Sequence, residues 1–189
     1  MKRIGILGGT FNPPHQGHLI IAEYVRVELD LEEVWFIPTY KPPHKQEANT
    51  DAASRVNMLE KAIEDNSAFH LNGIEIEREG KSYTIETIKY FKQKHPDHEY
   101  YFIIGADMVD YLPHWHQIDQ LIDQLQFVGV KRTGYQLDSP YPVIPVDAPL
   151  IDISSTEIRN RLKDGKSIKY MVPEKVYAYI KENQLYGDK

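Results

Sequence analysis

Short apolar segments alternate with longer amphipathic segments along most of the chain. The short segments are rich in β-branched and aromatic residues and are bounded by turn residues, a pattern typical of β-strands. They predict strands at Arg3–Leu7, Glu33–Pro38, Leu71–Ile76, Tyr100–Ile104, Phe127–Lys131 and Val143–Val146.

Apolar residues recur every three or four positions between these strands. This spacing predicts helices over residues 17–29, 52–65 and 84–94. Near the C-terminus, Ser154 and Glu157 have the spacing of a capping box, which predicts a helix start. A last amphipathic segment, with Pro173 near its first turn, predicts a terminal helix.

Strands that alternate with helices favour an α/β fold. We therefore expect a Rossmann-like, doubly wound, mostly parallel sheet with helices on both faces. No repeat or linker divides the chain, so we expect one domain over residues 1–189, with a helical part from about 154 to 189 packed on it. Ligands of such sheets bind at the carboxyl ends of the strands, near the point where the strand order reverses.

Loops with distinctive chemistry follow the predicted strands. Residues 8–18 (Gly-Gly-Thr-Phe-Asn-Pro-Pro-His-Gln-Gly-His) follow the first strand and lead into a helix, where a nucleotide phosphate can meet backbone N–H groups. The two prolines stiffen this loop. Residues 39–45, 105–107 and 132–133 follow other strands. The sequence therefore predicts that these loops meet at one rim of the sheet and form a site for phosphorylated ligands.

Composition excludes several classes of protein. The 189 residues are 41% apolar and 26% charged, which is ordinary for a soluble globular protein. The absence of cysteine excludes disulfides and thiolate metal sites, and the net charge of −6 argues against nucleic-acid binding. No apolar segment is long enough to span a bilayer or to form a signal peptide, so we expect a cytoplasmic protein that does not bind membranes.

Two segments resemble the signatures of the nucleotidylyl transferase superfamily: residues 8–18 and the segment Ile153–Arg159. Further segments are similar to the bacterial nicotinate mononucleotide adenylyltransferase family within it. These are Phe36–Lys45, Ser82–Thr87 and Leu112–His116. The resemblance runs from Lys2 to about Met171 and implies a single nucleotidylyl transferase domain.

The resemblance implies adenylyl transfer from ATP to nicotinate mononucleotide, giving nicotinate adenine dinucleotide (deamido-NAD) and pyrophosphate in NAD biosynthesis. ATP is then the co-substrate and Mg²⁺ the cofactor. No carboxylate cage is evident, so we expect no metal held by the protein itself and Mg²⁺ bound through the substrate phosphates.

The resemblance also implies roles for individual residues. The catalytic set is His15, His18, Lys41 and Arg159. The ATP-binding set is Gly8, Gly9, Thr10, Phe11, His15, His18, Gly105, Asp107, Ile153, Ser154, Ser155 and Arg159. The acceptor-binding set is Lys41, His44, Ser82, Tyr83, Thr84, Trp115 and Arg132.

Two alternatives stay open. One is an adenylyltransferase for another acceptor, nicotinamide mononucleotide or phosphopantetheine; the other is a non-catalytic nucleotide-sensing module. Both histidines are present, which argues against the module. Backbone donors of Tyr83 and Thr84 at a helix start favour a ring carboxylate, and Trp115 can stack on a pyridine ring. The sequence leaves open whether the chain forms a homo-oligomer.

Overall fold

The computed structural model describes residues 1–41, 50–131, 137–149 and 151–187, and within them six strands form one sheet. The strands are β1 (Arg3–Gly9), β2 (Glu33–Pro38), β3 (Phe69–Leu71), β4 (Glu99–Gly105), β5 (Gln126–Val130) and β6 (Val143–Val146). Their order is β3-β2-β1-β4-β5-β6, and every neighbouring pair is parallel. The prediction of a parallel, doubly wound sheet is confirmed.

Eight α-helices lie between and after the strands in the described residues. They are α1 (Gln16–Glu28), α2 (Ala52–Ile63), α3 (Ile74–Arg78), α4 (Thr84–Lys94), α5 (Ala106–Tyr111), α6 (Ile118–Leu121), α7 (Ser155–Lys163) and α8 (Glu174–Glu182). Short 3₁₀ helices lie at Leu112–His114 and Leu185–Gly187. In the part of the chain that the structure describes, no helix has the length and apolar character needed to cross a membrane.

The sheet is covered on both faces, as predicted. One hydrophobic cluster joins α1, α2, α7 and α8 to one face, where Leu7 and Phe36 are buried. The second joins α4, α5 and α6 to the opposite face, where Ile6, Phe102 and Phe127 are buried. Successive residues of a strand point to opposite faces, so Ile6 and Leu7 enter different clusters.

One strand prediction is wrong. The segment Leu71–Ile76 was expected to be a strand, but β3 ends at Leu71 and α3 begins at Ile74. The Asn72 side chain accepts a hydrogen bond from the Ile74 N–H at 3.2 Å and so turns the chain into a helix. The alternation of Ile74, Glu75 and Ile76 resembled a strand because a single helical turn is too short to show its period.

The C-terminal helices begin and end as predicted. Ser154 is the N-cap of α7, and its side chain accepts a hydrogen bond from the Glu157 N–H at 3.1 Å. The helix ends near Gly165, whose φ of 67° suits a residue without a side chain. Pro173 precedes α8, and the chain then turns back so that Tyr186 reaches the loop after β1.

The strand order places a crevice at the centre of the sheet. From β1 the chain continues to β2 and β3 on one side of β1, and it then crosses to β4 on the other side. The strand order therefore reverses between β1 and β4. The loops after β1 and β4 therefore diverge and leave a space at the carboxyl ends of the strands. Several of the predicted site residues line this space.

Candidate active site

The two histidines of the loop after β1 lie against each other at the start of α1. His15 is the N-cap, and its backbone N–H donates to Nδ1 of His18 at 3.1 Å. The two rings stack with their centroids 3.7 Å apart. An N–H group can only donate, so Nδ1 of His18 is unprotonated and the neutral ring has its proton on Nε2. This fixes both the orientation and the tautomer of His18.

Gly17 allows this stacking. A β-carbon on Gly17 would lie 3.0 Å from Nδ1 and 3.1 Å from Cε1 of His15. Those distances are too short for an undisturbed contact, and the His15 ring is buried and has little room to move. The glycine between the histidines is therefore a steric requirement of the pair. We call residues 8–18 the histidine loop.

Side chains from the C-terminal region hold the carbonyl oxygens of the histidine loop. Ser155 donates from Oγ to the Pro13 carbonyl at 2.8 Å, and Arg159 donates from Nη1 to the Asn12 carbonyl at 2.8 Å. The Tyr186 hydroxyl donates to Oδ1 of Asn12 at 2.5 Å. Ser155 and Arg159, which were predicted to bind phosphates, thus lie at the histidine loop, and these contacts fix its backbone.

The side chain of Arg55, in α2, also holds the backbone of the histidine loop. Its side chain, only 2% exposed, donates from Nη1 to the carbonyls of Thr10 and Thr39, both at 2.8 Å. Burial lowers the pKa of this guanidinium, because the charged form has lost its water. Arg55 therefore joins the loop after β1 to the loop after β2 and places a buried positive charge behind them.

A cavity of about 260 Å³ opens beside the histidine loop; we call it the cleft. Residues predicted for both substrates line it: Gly8, Gly9, Thr10, Ser82, Tyr83, Thr84, Gly105 and Trp115. A second concavity of about 380 Å³, lined by Trp35 and Tyr90 among others, contains none of the predicted residues. The structure thus brings together residues that the sequence places more than a hundred positions apart.

The start of α4 forms one wall of the cleft. Tyr83 is the N-cap and Thr84 the first helical residue, so the first N–H groups of the helix have no acceptor within it. The Tyr83 N–H itself donates to the Lys81 carbonyl at 3.2 Å, which leaves Thr84 as the better candidate donor. Ser82 is buried, and its Oγ accepts a hydrogen bond from the Tyr40 N–H at 3.1 Å.

Trp115 forms another part of the wall. The indole is half-buried and meets the rings of Phe102 and Phe127 edge to face, at centroid distances of 5.5 and 5.6 Å. Its Nε1 is buried and has no hydrogen-bond partner among the described residues. The rings of Tyr83 and His116, which also line the cleft, lie with their centroids 4.4 Å apart and their planes tilted by 37°. These contacts hold Trp115 at the edge of the cleft.

Phe11 and Ile153, from the predicted ATP-binding set, are packing residues by their side chains. The Phe11 ring is buried under Gly9 and contacts the ring of His18 at 5.0 Å. Ile153 is half-buried against the cluster that contains α7. Their backbone groups remain the only candidates for contact with a nucleotide.

The remaining predicted residues lie at the periphery or outside the described residues. Lys41 is exposed and pairs through its backbone with Lys81. Asp107 is exposed in the first turn of α5. His44 and Arg132, predicted for acceptor binding, lie outside the described residues.

Comparison with known proteins agrees with this geometry. The model of the cytidylyltransferase-like family matches residues 6–161. A Lactiplantibacillus plantarum protein named "probable nicotinate-nucleotide adenylyltransferase" is 60% identical over 98% of this chain and 88% of its own length. The Bacillus subtilis nicotinate-nucleotide adenylyltransferase is 50% identical over 98% of this chain and 99% of its own. This chain belongs to the nicotinate-nucleotide adenylyltransferase family.

The family fold is also seen in solved structures. The nicotinic acid mononucleotide adenylyltransferase of Plasmodium falciparum, complexed with APC or with NaAD, matches this chain with a TM-score of 0.83 in both cases. The sequence identities are 23% and 22%, and the matches cover 100% of this chain and 99% of the other. At such low identity the likeness shows that the fold is shared.

Sequence reasoning missed two buried charged residues of this family member, Arg55 and Glu75. Arg55 lies three and four positions before Met58 and Leu59, on the apolar face of α2. A charged residue within an apolar helix face was the signal from which its burial could have been predicted. Glu75 gave no signal, because α3 is only five residues long.

Proposed function

We propose that this chain transfers the adenylyl group of ATP to nicotinate mononucleotide, forming nicotinate adenine dinucleotide and releasing pyrophosphate. The observation that supports this most strongly is the 50% identity to the Bacillus subtilis nicotinate-nucleotide adenylyltransferase, which extends over 98% of this chain. The cleft and the histidine loop give the reaction a physical setting.

The bond changes in this reaction are simple. An oxygen of the acceptor's 5′-phosphate attacks the α-phosphorus of ATP, and the bond from that phosphorus to the oxygen bridging to the β-phosphate breaks. Pyrophosphate leaves with the electron pair, and nothing is oxidised or reduced. Catalysis then depends on aligning two anions and stabilising the charge that develops between them.

The histidine loop supplies this alignment. His18, with Nδ1 already accepting from the His15 backbone, directs a donor at Nε2 toward the phosphates. His15 is stacked on it and acts at the neighbouring phosphate. Lys41 and Arg159 add positive charge, and the backbone at Gly9 and Thr10 receives the phosphate oxygens. These roles rest on the family resemblance and on the position of each residue around the cleft.

The cleft supplies acceptor selection. Nicotinate mononucleotide has a negative ring carboxylate where nicotinamide mononucleotide has a neutral amide. The start of α4 at Thr84 favours an anion through its N–H groups and its helix dipole. Trp115 offers an aromatic surface to the pyridine ring.

We further propose that Mg²⁺ enters as a complex with ATP, held by phosphate oxygens and water. The described residues contain no group of three or more His, Asp or Glu side chains that could hold a metal ion, so the donor set fits a metal carried by the substrate. The single-domain organisation and a cytoplasmic location stay predictions from the sequence.

The first test is pyrophosphate release with ATP and Mg²⁺, comparing nicotinate mononucleotide, nicotinamide mononucleotide and phosphopantetheine. We expect kcat/KM to favour the nicotinate acceptor by about 100-fold, equivalent to about 2.7 kcal/mol. Mass spectrometry of the product identifies the dinucleotide.

His18→Ala tests whether the activity depends on the histidine loop. It removes one half-buried ring at the surface of the loop, so the fold should be kept. We expect its kcat to fall by about 10²- to 10³-fold with little change in Tm. Equal turnover of the two mononucleotides would contradict the assigned acceptor. Full activity of His18→Ala would remove the histidine from the mechanism.

A further inference from the structure

A tyrosine that lies outside the cleft reaches the histidine loop from the turn after α8. Tyr186 is in the 3₁₀ helix Leu185–Gly187, and its hydroxyl donates to Oδ1 of Asn12 at 2.5 Å. The two residues are 174 positions apart in the sequence. The described residues that line the cleft do not include Tyr186. Its contact with the loop therefore has a different purpose from direct contact with a ligand in the cleft.

The backbone after α8 bends sharply to bring this side chain back to the loop. Gln184 and Tyr186 both have a positive φ, of 50° and 63°. Left-handed backbone is uncommon for a residue with a bulky side chain, and it persists only where the surrounding structure enforces it. The Tyr186 ring packs against the hydrophobic cluster of α1, α2, α7 and α8. The fold thus maintains an unfavourable backbone conformation at the residue that delivers this hydroxyl.

The Tyr186 hydroxyl joins the histidine loop to the segment before α2. It donates to Asn12 and also forms a hydrogen bond with the side chain of Thr50. A phenol has a single hydrogen, so the hydrogen of the second bond comes from Thr50. Asn12 and Thr50 are both buried. Burial raises the pKa of Tyr186 to about 12, so its hydroxyl remains a donor near neutral pH.

Asn12 is held at two points, and it lies close to the histidine pair. Arg159 donates to its backbone carbonyl, and Tyr186 donates to its side-chain oxygen. Three residues further on, His15 is the N-cap whose N–H orients the His18 ring. The two prolines between Asn12 and His15 restrict the backbone, so this short segment has little freedom to absorb a shift of Asn12. The position of Asn12 therefore bears on the position of both rings.

We propose that Tyr186 is a positioning residue for adenylyl transfer: its hydroxyl fixes Asn12 and thereby holds His15 and His18 in their stacked arrangement. This inference rests on the proposed function and adds to it a residue that acts from outside the cleft. Without the hydroxyl, Asn12 is free to shift, and the donor of His18 is no longer aimed at one place. Such a misplacement lowers the rate of the chemical step and leaves binding of the acceptor in the cleft unchanged.

Tyr186→Phe is the variant that tests this role, because it removes the hydroxyl and keeps the packed ring. We expect its kcat to fall about tenfold, with the KM for nicotinate mononucleotide within about twofold of the wild-type value. Pyrophosphate release with ATP and Mg²⁺, measured well below Tm, gives both constants. A residue that only stabilised the fold would lower Tm and leave the kcat of the folded enzyme unchanged.

Tyr179→Phe is the matched control. The Tyr179 hydroxyl accepts a hydrogen bond from Nδ2 of Asn57 at 3.1 Å, so it also joins the C-terminal region to α2. None of the hydrogen bonds described for Tyr179 reaches the histidine loop. The control thus removes the same chemical group from the same part of the fold. We expect its kcat to equal that of the wild type.

The tautomer of His18 provides a second readout that needs no turnover. Its Nδ1 accepts from the His15 N–H, which keeps the proton of the neutral ring on Nε2. Nitrogen NMR of the imidazole at about pH 8.5, where an ordinary histidine is neutral, reports which nitrogen has the proton. The His18 signals are those lost in His18→Ala. We expect one tautomer in the wild type and in Tyr179→Phe, and a mixture of both in Tyr186→Phe.

The outcomes separate this inference from the proposed function. Absence of turnover by the wild type, with a tautomer mixture in Tyr186→Phe alone, would overturn the function and support the hold of Tyr186 on the histidine pair. A single tautomer in Tyr186→Phe would overturn the role of Tyr186, and so would a normal kcat from an active enzyme. An equal loss of kcat in Tyr179→Phe would also overturn it, because any loosening of the C-terminal region would then slow the reaction.

Discussion

The histidine loop and the cleft lie side by side, but they differ in the contacts that their polar groups make. The carbonyls of the loop at Thr10, Asn12 and Pro13 accept hydrogen bonds from side chains 45 to 147 positions away in the sequence. The cleft retains polar atoms without a partner among the described residues, at Trp115 and Glu75. The backbone of the histidine loop is held by the protein itself, whereas these two side-chain atoms in the wall of the cleft have no such contact among the described residues.

This difference matches two tasks. Transition-state stabilisation requires donors that are already in place, since reorganisation during the reaction costs rate. Selection between acceptors requires buried polar groups that only the right ligand satisfies, because an unpaired group penalises the wrong one. The histidine loop suits the first task and the cleft suits the second. Changes in the loop should therefore alter kcat, and changes in the cleft should alter acceptor KM.

Among the changes that compare the two regions, Gly17→Ala in the histidine loop is expected to have the largest effect. The new β-carbon would lie 3.0 Å from the His15 ring and displace it. A displacement of this kind can cost about 10- to 100-fold in kcat. Alanine is the better helix former by about 1 kcal/mol, which offsets the cost of the close contact, so Tm should change little. Steady-state kinetics and a thermal melt measure both.

Gly73→Ala is the control for this prediction. A β-carbon on Gly73 would make only ordinary contacts, the nearest at 3.8 Å, and its φ of −84° suits any residue. We expect its kcat to match the wild type. Normal turnover of Gly17→Ala would show that the stacked position of His15 does not matter for catalysis.

A smaller and different effect is expected for Trp115→Leu in the cleft. Leucine keeps apolar contact with Phe102 and Phe127 but removes the aromatic surface. Loss of stacking worth about 1 kcal/mol should raise the KM for nicotinate mononucleotide by about fivefold and leave the KM for ATP unchanged. A fall in kcat with both KM values unchanged would mean that Trp115 acts on the histidine loop, which would break the division between the two regions.

The two regions also differ in how far the sequence predicts them. The histidine loop is contiguous, and its glycines, prolines and histidines have local meanings, so its place after β1 and its role as a helix start could be predicted. The parallel sheet followed from alternating patterns in the same way. Arg55 could not be placed, because its partners at Thr10 and Thr39 are determined by tertiary packing. The burial of Glu75 depends likewise on α3 and α4 meeting.

The contacts of Ser155 and Arg159 show a further limit. The capping pattern predicted the start of α7 correctly, and phosphate binding was the natural interpretation of a serine and an arginine there. The structure shows both side chains donating to loop carbonyls instead of pointing to open space. A sequence pattern predicts which groups are near a helix start but not which acceptor they reach first.

The smallest effect is expected at the start of α7, where two serine variants distinguish direct phosphate binding from support of the histidine loop. Ser155→Ala removes the hydrogen bond to the Pro13 carbonyl, and Ser154→Ala removes the N-cap bond to the Glu157 N–H. Each should cost about 1 kcal/mol, a fall in Tm of about 2–4 °C for a chain of this size. Only Ser155→Ala releases the histidine loop, so only it should lower kcat, by about threefold. An equal rise in the KM for ATP in both variants, with kcat unchanged, would instead indicate that the start of α7 binds the phosphates directly.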